Sequence, residues 1–179
     1  EYLKSHIKTI HDFPVSGVAF RDITSLFEDA KSLKLMREAI LDSYHDKGIT
    51  KVACIESRGF VMGSIAAEAL NAGIVLVRKA GKLPRETASV EYEKEYGKDV
   101  LEVHADSITE KDVVLIHDDV LATGGTLKAV HDLITMFSPR KVYVNALIEL
   151  CELNGRGCLR GIHVTSLIRY NEQPWKIAE

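Results

Sequence analysis

The sequence predicts an α/β protein, a doubly wound and mainly parallel sheet flanked by helices. Two stretches carry that prediction. Each repeats a β-rich apolar run, an acidic loop with glycine, a helical-period segment and a second apolar run, which is the order of a βαβ unit. The strands in both alternate only weakly between apolar and polar residues, the pattern of strands covered on both faces. A chain of 179 residues suits one domain over residues 1–179, long enough to bury a two-sided core.

In chain order, Ser32 to Tyr44 comes first as an amphipathic helix, with Leu33, Leu35, Met36, Ala39, Ile40 and Leu41 on one broad apolar face and Gly48 beyond its end. Lys51 to Ile55 is a strand, Glu56-Ser57-Arg58-Gly59 the loop after it, Phe60 to Asn71 a helix, and Ile74 to Val77 the returning strand. Residues 78–99 are polar, charged and weakly periodic. A connection this long favours a mobile lid over a solvated β-hairpin. The second unit runs from the strand Val113 to Ile116 through Asp118-Asp119 and Thr123-Gly124-Gly125-Thr126. Its helix is marked by Leu127, Val130, Leu133, Ile134 and Phe137 and ended by Ser138-Pro139, and the strand Val142 to Ile148 follows.

Composition narrows the function. With 46% hydrophobic and 27% charged residues the chain lies in the globular range, away from disordered or collagen-like sequences. No apolar run approaches the ~18 residues that span a bilayer, so no membrane partner is expected. A net charge of −3 lacks the positive balance of general nucleic-acid binders, and any anionic ligand must be held locally. The opening residues have neither an apolar signal core nor a transit composition. Cys54, Cys151 and Cys158 lack Cys-x-x-Cys spacing, which points to buried thiols in a reducing compartment, the cytoplasm.

Chemistry is expected where the second unit passes from strand to helix. Gly124 and Gly125 permit backbone geometries that leave several N–H groups free to converge, Thr123 and Thr126 add hydroxyls, and the helix adds its positive end. Together they form a cradle for a phosphate monoester. Asp118 and Asp119 repel each other unless they meet hydroxyls, such as a ribose diol, or a cation. An ordinary helix cap needs neither the second acid nor the second glycine. No Gly-Lys-Ser/Thr follows the glycines, which disfavours a P-loop.

An apolar strand, two acids, a short link and Thr-Gly-Gly-Thr resemble the 5-phosphoribosyl-1-pyrophosphate motif of the type I phosphoribosyltransferases. The resemblance implies their fold, with a base-binding hood over residues 1–30 and a catalytic lid over 78–99. It implies that Ala122, Thr123, Gly124, Gly125 and Thr126 hold the ribose 5-phosphate, while Asp118 and Asp119 hold the ribose hydroxyls. Other segments are similar to the adenine-type branch: Asp12-Phe13-Pro14, Gly17, Phe20-Arg21-Asp22-Ile23-Thr24, Glu56-Ser57-Arg58-Gly59-Phe60, Arg78-Lys79-Ala80-Gly81-Lys82-Leu83-Pro84, Glu95-Tyr96-Gly97, Glu149-Leu150 and Gly155-Arg156.

By that resemblance the chain transfers the phosphoribosyl group to adenine, giving AMP and pyrophosphate. Phe20 and Leu150 would sandwich the flat purine, and backbone groups of Ala19 and Arg21 would read its edge. Glu56, Ser57 and Arg58 would surround the pyrophosphate, with Arg78, Lys79 and Lys82 closing over it. Glu95 would exchange the purine proton and Tyr96 would shield the reacting centre. Mg2+ is implied, bound mainly through the donor, with no protein ligand named. A homodimer is implied, for which Leu26-Phe27 and apolar positions near the first unit are candidates. His11, Ser25 and His117 depart from the branch's usual residues, and His117 is expected to be a satisfied sheet histidine. Transfer to a 6-oxo purine is the competing reading. It usually calls for a lysine donor and sits poorly with the N-terminal segment. A transcriptional sensor of the donor leaves no residues for a DNA-binding region, and a signalling receiver domain leaves Thr-Gly-Gly-Thr unexplained.

Overall fold

The computed structural model describes residues 1–13, 15–17, 19–94 and 97–171. A short helix α1 (Tyr2–His6) leads into strands β1 (Lys8–His11) and β2 (Ala19–Asp22). These pair antiparallel as a two-stranded sheet of their own, Ile10 opposite Phe20. After a single turn, α2 (Thr24–Phe27), comes the long helix α3 (Ala30–Tyr44). Asp29 caps it by accepting from the Ser32 N–H at 2.9 Å. Ser32, Met36, Ile40 and Tyr44 are its buried residues, and a repeat of four gives one buried stripe.

The main sheet is built from β3 (Lys51–Ile55), β4 (Gly73–Lys79), β5 (Thr87–Lys94), β6 (Gly97–His104), β7 (Val113–Leu121), β8 (Lys141–Leu150) and β9 (Val164–Tyr170). Its order is β5-β6-β4-β3-β7-β8-β9. The five strands from β4 to β9 run parallel, and β6 and β5 extend the β4 edge antiparallel. Helices α4 (Gly59–Ala69) and α5 (Gly125–Thr135) follow β3 and β7, as the βαβ pattern predicts. Successive residues of β3 face opposite cores: Val52 and Cys54 pack with Met36, Ile40 and Met62, while Ala53 and Ile55 pack with Leu127, Val130 and Leu133.

The polar segment 78–99, read as a mobile lid with a hairpin as the alternative, has hairpin form over much of its length, β5 pairing with β6 from Thr87 opposite His104 to Lys94 opposite Gly97. Three other expectations are corrected. Arg78 and Lys79 are not loop residues but the end of β4. Of the three thiols only Cys54 is buried; Cys151 is half-buried and Cys158 exposed. Leu26 is fully buried in the core and is not free to form a subunit contact, while Phe27 packs on the same core and is only half-buried. The α2 turn points Leu26 inward, and Val61, Ile74 and Leu76 are exposed apolar residues near the first unit.

Candidate active site

The acid pair lies within β7, which continues past Asp118 and Asp119 to Leu121. Both are buried. The Asp119 N–H donates to Asp118 Oδ1 at 2.9 Å, which turns the first carboxylate back on the chain. Burial, and then the neighbouring charge of Asp119, push the Asp118 carboxyl well above the usual carboxylate range. Arg58, from the loop after β3, answers this charge. Its Nε is 2.5 Å from Asp119 Oδ2. The contact is an ion pair without hydrogen-bond alignment, and Oδ2 is buried with no hydrogen-bond donor.

Phe20 is half-buried on β2 and is no core aromatic. Its ring meets Phe13 edge-on at 5.2 Å, and the Arg58 guanidinium lies 5.5 Å from its centroid. Phe20, Arg58, Asp119 and Asp118 therefore form one continuous line of contacts from the N-terminal sheet to β7. Arg21, beside Phe20, directs its guanidinium elsewhere, over the Tyr170 ring at 4.5 Å and onto the Thr9 hydroxyl. Ala19 opens the same strand opposite His11.

A second line ties the loop after β3 to the end of β4. Glu56 Oε2 accepts from the Lys79 N–H at 2.8 Å and from Arg78 Nε at 3.1 Å. The Glu56–Ser57 peptide is cis, and Ser57 is exposed. Arg78 Nη1 donates to the Lys82 carbonyl at 3.3 Å, and Lys79 Nζ stands 3.7 Å from Asp99 Oδ2. Thus Arg78 and Lys79 pair with carboxylates, while Lys82 is exposed beside them.

Ala122, Thr123 and Gly124 form the loop between β7 and α5, and Gly124 is the residue before the helix with φ of 86°, a conformation glycine adopts at little cost. Gly125 and Thr126 open the 11-residue helix, so its positive end faces the loop. Leu150 ends β8, half-buried. Just before it, Glu149 is held by Arg156 at 2.7 and 2.8 Å and by Ser166 at 2.6 Å. Burial pushes the Glu149 carboxyl up, but these hydrogen bonds together outweigh it and hold the group below its ordinary range. Sequence reading noted Glu149 and Arg156 as motif residues and missed that they bond.

His117 is a sheet histidine, as expected, but only one of its ring nitrogens is satisfied. It is fully buried, with Nδ1 2.9 Å from Asn145 Oδ1 and Nε2 without a hydrogen-bond partner, and burial lowers it to about 4. Asn145 passes the chain on to Thr165 at 2.9 Å, and Thr165 to the Tyr44 hydroxyl at 2.6 Å. Glu95 and Tyr96 lie outside the described residues.

The model of the phosphoribosyl transferase domain family matches residues 22–157. An adenine phosphoribosyltransferase of Bacteroides fragilis is 53% identical over 156 residues, 87% of this chain and 88% of that one. The chain belongs to the adenine phosphoribosyltransferase family. Among solved structures, the family member from Rhodothermus marinus is 44% identical, with a TM-score of 0.89 over 94% of this chain and 97% of that one. The Giardia lamblia enzyme, complexed with 9-deazaadenine, is 39% identical with the same TM-score over 95% and 97%. The family's acid pair and Thr-Gly-Gly-Thr thus fall at the carboxyl edge of a parallel sheet, where α/β folds place their ligands.

Proposed function

We propose that the chain transfers the 5-phosphoribosyl group of 5-phosphoribosyl-1-pyrophosphate to adenine, releasing pyrophosphate and AMP, as a single domain over residues 1–179. The observation that carries this reading is the pair of buried acids, Asp118 and Asp119, running directly into the glycine-bent loop at the start of α5. Ala122 to Thr126 take the 5-phosphate. Asp118 and Asp119 accept from the ribose hydroxyls, which would donate to Asp119 Oδ2, an atom that carries the ion pair with Arg58 but no hydrogen bond. Phe20 and Leu150 bracket the base, and the backbone of Ala19 and Arg21 reads its edge.

Arg58, with Glu56-Ser57 behind it, receives the departing pyrophosphate, and Arg78, Lys79 and Lys82 approach it from the end of β4. Glu95 exchanges the purine proton and Tyr96 excludes water. A magnesium ion arriving with the donor fits the buried acid pair Asp118 and Asp119, two carboxylates beside the loop assigned to the donor's phosphate. Such an ion supplies positive charge to the leaving group. The protein works in the cytoplasm, a reading supported by three free cysteines, and as a homodimer. The dimer reading is supported by exposed Val61, Ile74 and Leu76. Ile74 and Leu76 stand beside Val52 and Cys54 in register, on the face that also carries α4. Among the described residues no helix is long and apolar enough to cross a membrane.

Titrating the protein with adenine, hypoxanthine, guanine and xanthine, each with donor and magnesium, tests the proposal. Nucleotide formed from adenine alone is the expected result. A preference for a 6-oxo purine would overturn the base assignment, and no nucleotide from any base would overturn the reaction.

A further inference from the structure

The loop Ala122–Gly124 does not stand alone, and the residues behind it have no part in the reaction as proposed. A Cβ on Gly155 would lie 2.3 Å from the Ala122 carbonyl oxygen and 3.0 Å from the Gly124 nitrogen, and a Cβ on Gly124 would lie 2.3 Å from the Gly155 carbonyl oxygen. The two backbones interlock at a spacing only glycine on both sides allows. Cys158 adds a contact from its Sγ to the Thr123 carbonyl at 3.3 Å. All three loop residues therefore lean on the segment 155–158.

That segment is anchored through one side chain. Arg156 gives Nε and Nη2 to the two oxygens of Glu149 at 2.7 and 2.8 Å, and Nη1 to the Val164 carbonyl at 3.0 Å. The paired bonds are the planar fork that arginine makes and lysine cannot. Glu149 is itself enclosed, with its side chain 4% exposed and a third donor in Ser166 at 2.6 Å. It stands in register with Leu121, the residue before the loop, on one side and Arg169 on the other. The strand that delivers the loop and the segment that backs it are thus referred to the same carboxylate.

We infer that Arg156, anchored on Glu149 and acting through Gly155, is the positioning residue of the loop Ala122–Gly124. The inference rests on the reading that this loop binds the 5-phosphate. Converging N–H groups repel one another until an anion arrives, so a loop that binds tightly must be held open in advance by something other than the ligand. Arg156 supplies that support without touching the ligand.

Calorimetry with ribose 5-phosphate, together with Michaelis constants for both substrates, tests it on Gly155→Ala and on the milder Arg156→Lys. Both are expected to weaken ribose 5-phosphate binding and raise the donor constant about tenfold or more, with the adenine constant changed less than about twofold. Arg169→Ala is the control, since Arg169 Nε shares Glu149 at 3.3 Å without contacting the loop. It should leave ribose 5-phosphate binding unchanged. Wild-type protein that fails to bind ribose 5-phosphate overturns the phosphate reading and the inference with it. Wild-type protein that binds, with folded variants that bind equally well or that lose both substrates alike, overturns the inference alone.

Discussion

Arg58 Nε stands 2.5 Å from Asp119 Oδ2, so a cation assigned to the leaving pyrophosphate and an acid assigned to the ribose neutralise each other in the ligand-free protein. Arg78 and Glu56 repeat the arrangement at 3.1 Å. Each guanidinium is kept beside the site with its charge partly balanced, and a polyanionic donor then competes with a carboxylate for it.

The acid pair should cost stability and supply function. Asp118 is pushed up in the fold, so any stability it contributes is present below its unfolded value, ~3.9, and is lost as pH rises through the folded value. Asp118→Asn keeps an acceptor for the Asp119 N–H and removes the charge. Thermal denaturation at pH 8 should show Tm raised by about 2–4 °C, the effect of ~1 kcal/mol in a chain of this size, and the gain should vanish below about pH 4. Turnover in the same variant should fall, and fall further with Asp119→Asn added. Near-normal activity of the double variant would refute the ribose assignment.

Phe20→Ala removes the face that the base would stack on and leaves β2 paired with β1. Steady-state kinetics should show the adenine Michaelis constant rising about tenfold, consistent with a stacking contact of ~1–3 kcal/mol, and the donor constant rising much less. Equal rises for both would mean that Phe20 only supports Arg58.

His117 should shape the acid limb of stability. Its folded value of about 4 lies below the unfolded ~6.5, so the unfolded chain binds more protons between the two. The stabilisation is complete above about pH 6.5 and lost as pH falls through 4. His117→Asn keeps an N–H donor for Asn145 and removes the titration. Urea unfolding from pH 7 to pH 4 should then show a flatter loss of stability than in wild type, and equal slopes would exclude His117 as the cause.

Glu95→Gln tests the proton transfer. A single-turnover measurement on the preformed ternary complex should show the rate falling by about tenfold to ten-thousandfold, with donor affinity nearly unchanged. Glu91→Gln and Glu93→Gln are matched controls, and the first loses the exposed pair with Lys98 at 2.6 Å. A wild-type rate in Glu95→Gln would move the proton elsewhere.

What could be read in advance was whatever the chain carries locally. Asp118-Asp119 and Thr123-Gly124-Gly125-Thr126 are contiguous, and a strand, a bent loop and a helix start are properties of neighbouring residues, so cradle and acids were legible together. The strands Lys51–Ile55 and Lys141–Leu150 announced themselves as apolar runs. The hairpin did not, although Ala88, Val90 and Tyr92 pack inward between exposed Ser89, Glu91 and Glu93, an alternation that could have marked β5. Strand β9, Val164–Tyr170, was missed for the same reason, because a half-polar strand is defined by the partner it meets. Tertiary structure alone decided that Arg58 would meet Asp119, that Arg156 would grip Glu149, and that Gly124 and Gly155 would interlock, since these contacts join distant parts of the chain whose separation is closed only when the sheet orders its strands.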